Sequence, residues 1–522
     1  MKHSPFRIAA LALLVALIAA NVYRAATQSI VHDEALTWVE YLAGPASDIF
    51  THYDANNHFL ATILFKISTT LFGDSEFALR LPTLLAGAWF LWTVFRLLAL
   101  LLGEGWLLLL GCAAIALNPI LLDFLVAARG YGLALAGLFW GLYQMLMWLD
   151  EAGVDEQSHP GAETSRNKRL WKAALGCSVA VAANLTFLMP VLALAAAFCL
   201  LLLRPTASSV TPHHATLAKP RKKSRKPARP TPADTARPYG PLLHFVVPIV
   251  LAAIAFLLAA PIDTAHMHDF YAGKSTALAS WKDLVHVAFA YGDSAGVLHR
   301  IERIYEGFAL YFFPAIVLAA LTVAVMAIRE KSSPLALATL FCSLSVVGAA
   351  VLLVAAHWIA GVPYPEDRTG IYFLPLATLA ALCLARILVA QPPLRWVGST
   401  LGVVLALFAL EFAAQWNVKS FLVWRYDADS KRIFDQLEAA PKPPNLGPEQ
   451  IRLGASWVYD PSLNFYRVRR RIVWMAPLLR DGFAGDRQFY VVSPEDQGSA
   501  NLPKMRQIYR GPISGTIVAI PQ

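Results

Sequence analysis

Apolar residues fall along this chain in long unbroken runs rather than in the short alternations of a soluble sheet. Leu11–Ala20, Leu84–Leu102, Trp106–Leu117, Leu192–Leu203 and Leu335–Ala356 are nearly free of charge. About 20 such residues in helical form cross a hydrocarbon layer roughly 30 Å thick. Lipid offers the backbone no hydrogen-bond partner, so these runs must be helical. The pattern predicts about eleven spans. The first lies within Met1–Ala26, which reads either as a cleaved signal peptide or as a retained first helix. The second is Ala78–Leu102, and the rest fall at 106–122, 131–149, 171–186, 188–203, 241–259, 307–328, 334–356, 369–388 and 396–413.

Between the first two spans lies a mixed segment, 27–77. Its stretch after His32-Asp33-Glu34 places Leu36, Val39 and Ala43 on one face, as in a helix lying along the interface with Trp38 and Tyr41. Phe59–Phe72 reads as a second helix, capped by Asn56 or Asn57 and ended by Gly73. Beyond 413 the composition turns to that of a soluble domain. Asp427–Ala439 suggests a helix, and Ile451–Trp457, Arg487–Val492 and Thr516–Ile520 suggest strands. The predicted fold is therefore a polytopic α-helical membrane domain over 1–413, followed by a small extracytoplasmic α/β domain over 414–522.

Charge then sets orientation. The chain of 522 residues is 57% hydrophobic and 15% charged, with a net charge of +9. Nearly all of that excess sits in one stretch, 204–240, where nine basic residues face the single acid Asp234. Its proline, lysine and threonine content cannot support a packed core. The positive-inside rule makes it a cytoplasmic linker. Counting spans from there puts the N-terminus inside and places 27–77, Asp123–Arg129, Asp263–Glu306, His357–Arg368 and the C-terminal domain outside, at a cell (inner or plasma) membrane. The rest of the chain is almost neutral, which argues against a nucleic-acid partner. The five cysteines all lie in apolar runs without metal-ligand spacing. His266, His268 and Asp269 form a short polar group that reads as a solvated loop before it reads as a metal site. No metal or other cofactor is indicated, and a divalent ion is left open.

Three outside clusters carry candidate chemistry. Asp33 and Glu34 lie just past the first span, followed by Tyr53-Asp54-Ala55-Asn56-Asn57-His58. The second cluster is Asp123 to Tyr131, with Arg129, and the third runs from Pro363 to Tyr372, with Arg368. Each has a plain structural reading: acids favoured in a first helical turn, asparagines as caps, arginines anchoring at a membrane boundary. Outside arginines beside outside carboxylates also suit a phosphate-bearing lipid, since guanidinium is a planar, permanently charged donor. No GxGxxG segment is present to hold a nucleotide sugar.

Asp33-Glu34, Glu76-Phe77-Ala78-Leu79-Arg80-Leu81-Pro82 and Ala128-Arg129-Gly130-Tyr131 together resemble the GT-C superfamily of membrane glycosyltransferases. The likeness is to bacterial members related to protein O-mannosyltransferases and lipid A aminoarabinose transferases. It covers about residues 1–410 and is strongest in the first 150. The resemblance implies transfer of a sugar from a polyprenyl-phosphate carrier to a hydroxyl of an envelope lipid, glycan or protein, in contact with membrane lipid. It also implies Asp33 as the catalytic or substrate-positioning carboxylate of the first outer loop, with Glu34 beside it. Arg129, Tyr131, Arg368, Asn57, His58 and Tyr372 become substrate or phosphate contacts. Asn57-His58 stands where relatives carry His-Pro-Pro-Leu, and Arg368 leads into Arg-Thr-Gly-Ile-Tyr where relatives have Arg-Tyr. A transporter or lipid flippase is the rival reading, and intramembrane ionisable residues would favour it.

Overall fold

The computed structural model describes residues 4–151, 162–202, 239–262, 273–289, 297–330, 333–442, 447–499, 502 and 504–522. The basic linker, apart from its last two residues, and the group His266, His268 and Asp269 lie outside them. Among the described residues nine helices are long and apolar enough to cross a membrane: Pro5–Thr27, Glu76–Leu102, Tyr131–Glu151, Leu185–Leu202, Gly240–Ala259, His299–Arg329, Pro334–Ala360, Asp367–Ala390 and Pro392–Gln415. The chain is a multi-pass membrane protein.

The two other expected spans take a different form, for local reasons. The run from Trp106 breaks after Ala116, because Asn118 accepts the Leu121 N–H and begins a new short helix with Pro119 in its first turn. An eleven-residue helix reaches only about 16 Å. The segment nonetheless traverses the bundle. Glu104 pairs with Arg7 at one end of the first helix, and Asp123 pairs with Arg24 near the other, some 26 Å away along that helix. The other departure is Ala162–Ala183, which is long but carries Glu163, Arg166, Lys168, Arg169 and Lys172 in its first half. It too runs end to end. Arg169 pairs with Glu151, which closes the helix Tyr131–Glu151, while the Ala183 carbonyl meets Gly130 at that helix's start. Gly137, Gly141 and Gly176 let these two helices approach so closely that an added Cβ at Gly137 or Gly176 would lie within 3 Å of the partner's backbone. Small residues at a helix crossing serve this purpose in membranes.

After Gln415 the chain builds a four-stranded sheet of β1 Leu453–Ala455, β2 Phe489–Val492, β3 Met505–Arg510 and β4 Ile517–Pro521, in the order β1-β2-β4-β3. β1 is parallel to β2, and the other two pairings are antiparallel. Helices Ser430–Ala439 and Asp460–Arg469 belong to the same unit. The sequence pattern missed β3 because it is an edge strand whose middle residues face solvent, and it missed the second helix altogether.

This C-terminal unit lies over the first loop. The Ile30 N–H donates to the Tyr466 hydroxyl (3.0 Å), the His32 N–H to Asp427 Oδ2 (2.6 Å), and Ser29 Oγ to the Ala428 carbonyl (3.0 Å). Trp38 meets Phe465 edge to face, with ring centres 5.0 Å apart. The expectation that Trp38 and Tyr41 lie at the lipid interface is therefore corrected: both are buried, and Ala43 is exposed.

The pair Arg24–Asp123 is almost wholly buried. Removing one member of such a pair strands a charge and costs about 3–5 kcal/mol, whereas replacing both with apolar residues need not. Asp123→Leu is expected to lower the unfolding temperature in detergent sharply, with Arg24→Leu/Asp123→Leu recovering much of the loss. A double variant no more stable than the single one would show that the pair does not act in this way.

Candidate active site

Four segments distant in sequence meet where the first helix ends. Asp33 and Glu34 sit in the first turn of the short helix His32–Thr37 and turn in different directions. Glu34 is completely buried. Its two oxygens take Nε and Nη2 of Arg80 (2.9 and 2.6 Å), the Ala128 N–H (2.6 Å) and the Val31 N–H (3.2 Å). Arg80 fills its remaining valences with the carbonyls of Gln28 (2.8 Å), Ser29 (2.6 Å) and Ala25 (3.3 Å). Glu34 therefore has no free edge for a reactant. In this structure Glu34 holds the loop, and Arg80, which lies in the stretch Glu76–Pro82, is the residue that fixes it.

Asp33 points the other way, toward arginines. Its Oδ2 accepts from Nη2 of Arg368 at 2.8 Å and lies 3.7 Å from Nη2 of Arg129. Burial acts to raise its carboxyl pKa, but the charges of Arg368, then Arg129 and His32, with a hydrogen bond from Trp424, outweigh burial and bring it to about 2. Its side chain keeps 12% exposure and that of Arg368 keeps 27%, so this pair is reachable where Glu34 is not.

Arg129 is held rigidly. Nη1 reaches the Asp33 carbonyl (3.3 Å), Thr37 Oγ1 (3.2 Å) and Asn56 Oδ1 (3.0 Å), and Nη2 reaches the Ala55 carbonyl (3.0 Å). The next residue must be glycine: a Cβ on Gly130 would lie 1.9 Å from the Ala183 carbonyl oxygen and 2.9 Å from His58 Cβ. Tyr131 follows, against His58 at 5.4 Å and Phe124 at 4.8 Å between ring centres. Arg368 comes from a strap in which Asp367 takes a left-handed backbone (φ 51) and donates its N–H to Asp283 Oδ2 (2.6 Å). Lys274 ties the strap to Glu366 (2.6 Å) and Asp283 (3.2 Å). The Arg368 guanidinium lies over the Trp424 ring at 5.7 Å.

The remaining candidates divide. His58 caps Phe59–Phe72 by position, and neither Asn56 nor Asn57 caps it. Its Nε2 is buried without a hydrogen-bond partner among the described residues. Burial first, and then the Arg129 charge, depress its pKa well below the usual imidazole value, so it is neutral. Asn57 is fully buried and gives its amide to the carbonyls of Ile49 (2.9 Å) and His52 (2.8 Å), which shapes the loop. Tyr372 is buried against Phe187, with ring centres 5.4 Å apart. Asp33, Arg129, Arg368 and His58 thus form one site, and Asn57 supports it from behind. Trp424 was missed because nothing local marks a tryptophan nearly four hundred positions from Asp33 as its neighbour.

Among solved structures this chain is similar to ArnT from Cupriavidus metallidurans in the apo state (12% identity, TM-score 0.48, covering 98% of this chain and 97% of that one). It is also similar to the same protein bound to undecaprenyl phosphate (14%, 0.42, 98% and 97%). A third is the archaeal oligosaccharyltransferase AglB from Archaeoglobus fulgidus in complex with an inhibitory peptide and a dolichol-phosphate (13%, 0.43, 94% and 70%). No family model matches the sequence, and no curated protein does.

The two acids should separate in their effect on folding. Asp33 has a depressed folded pKa, so its stabilising contribution is present above the ordinary carboxyl value of 3.8 and is lost as pH falls from there toward 2. Asp33→Asn is expected to flatten the stability profile in that window. Glu34→Gln leaves Arg80 buried without its counter-charge and should destabilise by about 3–5 kcal/mol at neutral pH. Equal stabilities of the two variants at pH 7 would refute the division.

Proposed function

We propose that the chain is a glycosyltransferase that moves a sugar from a polyprenyl-phosphate carrier to a hydroxyl of a cell-envelope acceptor, with its site on the outer side of the membrane. The observation that carries this reading is Asp33 held at the edge of a buried cluster between Arg129 and the partly exposed Arg368. A carboxylate that stays ionised and an accessible guanidinium are the two groups such a transfer requires. The first takes the acceptor's proton, and the second steadies the leaving phosphate.

In this mechanism the bond between the anomeric carbon and the carrier phosphate oxygen breaks through an oxocarbenium-like transition state. The acceptor oxygen bonds to the anomeric carbon, its proton passes to Asp33, and polyprenyl phosphate departs with the electron pair. A carboxyl titrating near pH 2 is a weak base at rest. The donor corrects this, because its phosphate competes with Asp33 for Arg368. Losing that neighbour raises the basicity of Asp33, so the base gains strength when the donor is in place. His58, neutral and with an open Nε2, is suited to a hydroxyl of sugar or acceptor. The carrier's tail has a candidate berth in an apolar groove of about 370 Å³, lined by Leu64, Ile67 and Leu71 of Phe59–Phe72 and by Leu81, Leu85 and Trp89 of Glu76–Leu102. Its lining on Phe59–Phe72, the helix that His58 caps, runs from Leu64 to Phe72. A transporter would call for charged residues along a path through the bundle, whereas Glu34, Arg80, Arg129 and the pair Arg24–Asp123 cluster at one end and are bound to one another, to backbone or, for Arg129, also to Thr37 and Asn56.

Single-turnover transfer from a polyprenyl-phosphate sugar tests the roles. Asp33→Asn should retain fold and lose about 10²–10⁴-fold in rate, the usual worth of a general base. Arg368→Lys keeps the charge but loses the planar fork, and should use the donor less well while remaining folded. A folded Asp33→Asn variant transferring at the wild-type rate would overturn the mechanism.

A further inference from the structure

The first loop holds a second polar cluster that sugar transfer does not use. Glu40, in the turn Trp38–Leu42, and His52 and Asp54, just before the residues that hold Arg129, each bring one ligand atom within 4.8 Å of the others. His52 Nε2 and Asp54 Oδ2 are 3.9 Å apart. Asp54 spends its other oxygen on the N–H groups of Asn56 (2.8 Å) and Asn57 (2.7 Å), which fixes the direction of the carboxylate. The Glu40 carboxylate has no hydrogen bond or ion pair among the described residues. Burial and the neighbouring Asp54 charge push its carboxyl up to about 7, against an opposing pull from Arg480. Two carboxylates therefore converge on one imidazole, and the Arg480 charge offsets their repulsion only in part.

We propose that Glu40, His52 and Asp54 bind a divalent transition-metal cation, of which Zn²⁺ and Mn²⁺ are the probes, and that the ion clasps the first loop shut. Two oxygens and one imidazole nitrogen form a donor set that suits such ions, and the remaining coordination positions go to water. Metal–ligand bonds of about 2.0–2.2 Å require the three atoms to close in slightly from their present spacing. Glu40 and His52 are exposed side chains that can make that adjustment. The Tyr41 hydroxyl, 2.7 Å from His52 Nε2, is the internal competitor and must turn away for the nitrogen to bind the ion. The ligands come from both ends of the segment 40–54. A bound ion would therefore fasten that segment directly ahead of Ala55 and Asn56, whose oxygens hold Arg129. The cluster shares no residue with the proposed transfer chemistry, so the two proposals stand or fall separately.

The full chain in detergent, treated with chelator and titrated by calorimetry with Zn²⁺ alone and with Mn²⁺ alone, should show one saturable site for at least one of the ions. Glu40→Gln and His52→Gln should each weaken binding at least tenfold while the chelator-treated variants still unfold in one cooperative transition. Affinity should also fall as pH drops, because protons compete with the ion for the imidazole and the two carboxylates. In wild type, the ion should raise the unfolding temperature, and it should do so less in either variant. Absence of saturable binding in wild type, or equally tight binding in both variants, would overturn the proposal and leave the Tyr41–His52 hydrogen bond as the whole account of the cluster.

Discussion

The bidentate pair between Glu34 and Arg80 is the interaction on which the rest of the site depends. Neither side chain has any exposure to solvent. Between them they bind the carbonyls that close the first helix, the start of the first loop and the Ala128 N–H beside Arg129. Lipid and a dry interior offer these groups no other partners, so the alternative to the pair is a set of stranded charges and backbone groups. The pair gains directional bonds at every valence, which is the condition under which a buried ion pair can offset its desolvation. Its consequence for chemistry is positional: the loop is fixed, and Asp33, one residue before Glu34, is aimed at Arg129 and Arg368.

Electrostatics then separates two neighbouring acids into two roles. Glu34 is neutralised by one arginine and closed to solvent. Asp33 is shared by two arginines, one locked by four oxygens and the other lying on a short strap over Trp424. The locked arginine stays 3.7 Å from the Asp33 carboxylate and favours its ionised form. The more accessible one, with 27% of its side chain exposed, is the group proposed to meet an incoming phosphate. The C-terminal unit completes the enclosure by supplying Asp427 to the His32 N–H and Tyr466 to the Ile30 N–H, so it belongs to the site rather than hanging beside it.

Much of this was legible in the sequence because hydrophobic periodicity and charge position are local signals. The apolar runs mark the helices, Gly73 ends Phe59–Phe72 as expected, and β1, β2 and β4 fall within or close to the β-rich runs beyond 413. Asp33, Arg129 and Arg368 were singled out as polar groups at one end of their spans, and they do meet. What could not be read was which partner each polar group would take. Glu34 and Asp33 look equivalent in sequence, and only Arg80, 46 positions on, distinguishes them. Asn57 reads in sequence as a cap or a substrate contact, and nothing local shows that its amide nitrogen binds the carbonyls of Ile49 and His52. The membrane-facing reading failed because Phe465, from beyond residue 420, packs on Trp38, and His52 of the same loop packs on Tyr41.

The central claim is that Arg368 is shared between Asp33 and the phosphate of the donor. It is tested most directly by the affinity of the purified protein for polyprenyl phosphate itself, in wild type and in Asp33→Asn. Asp33→Asn removes one of two carboxylates paired with Arg368, Asp367 at 3.5 Å being the other, and leaves the Glu34–Arg80 pair in place, so the account predicts that the variant stays folded and binds polyprenyl phosphate at least as tightly as wild type, with the difference largest at low salt. A folded Asp33→Asn protein that binds the lipid phosphate markedly more weakly than wild type would contradict it.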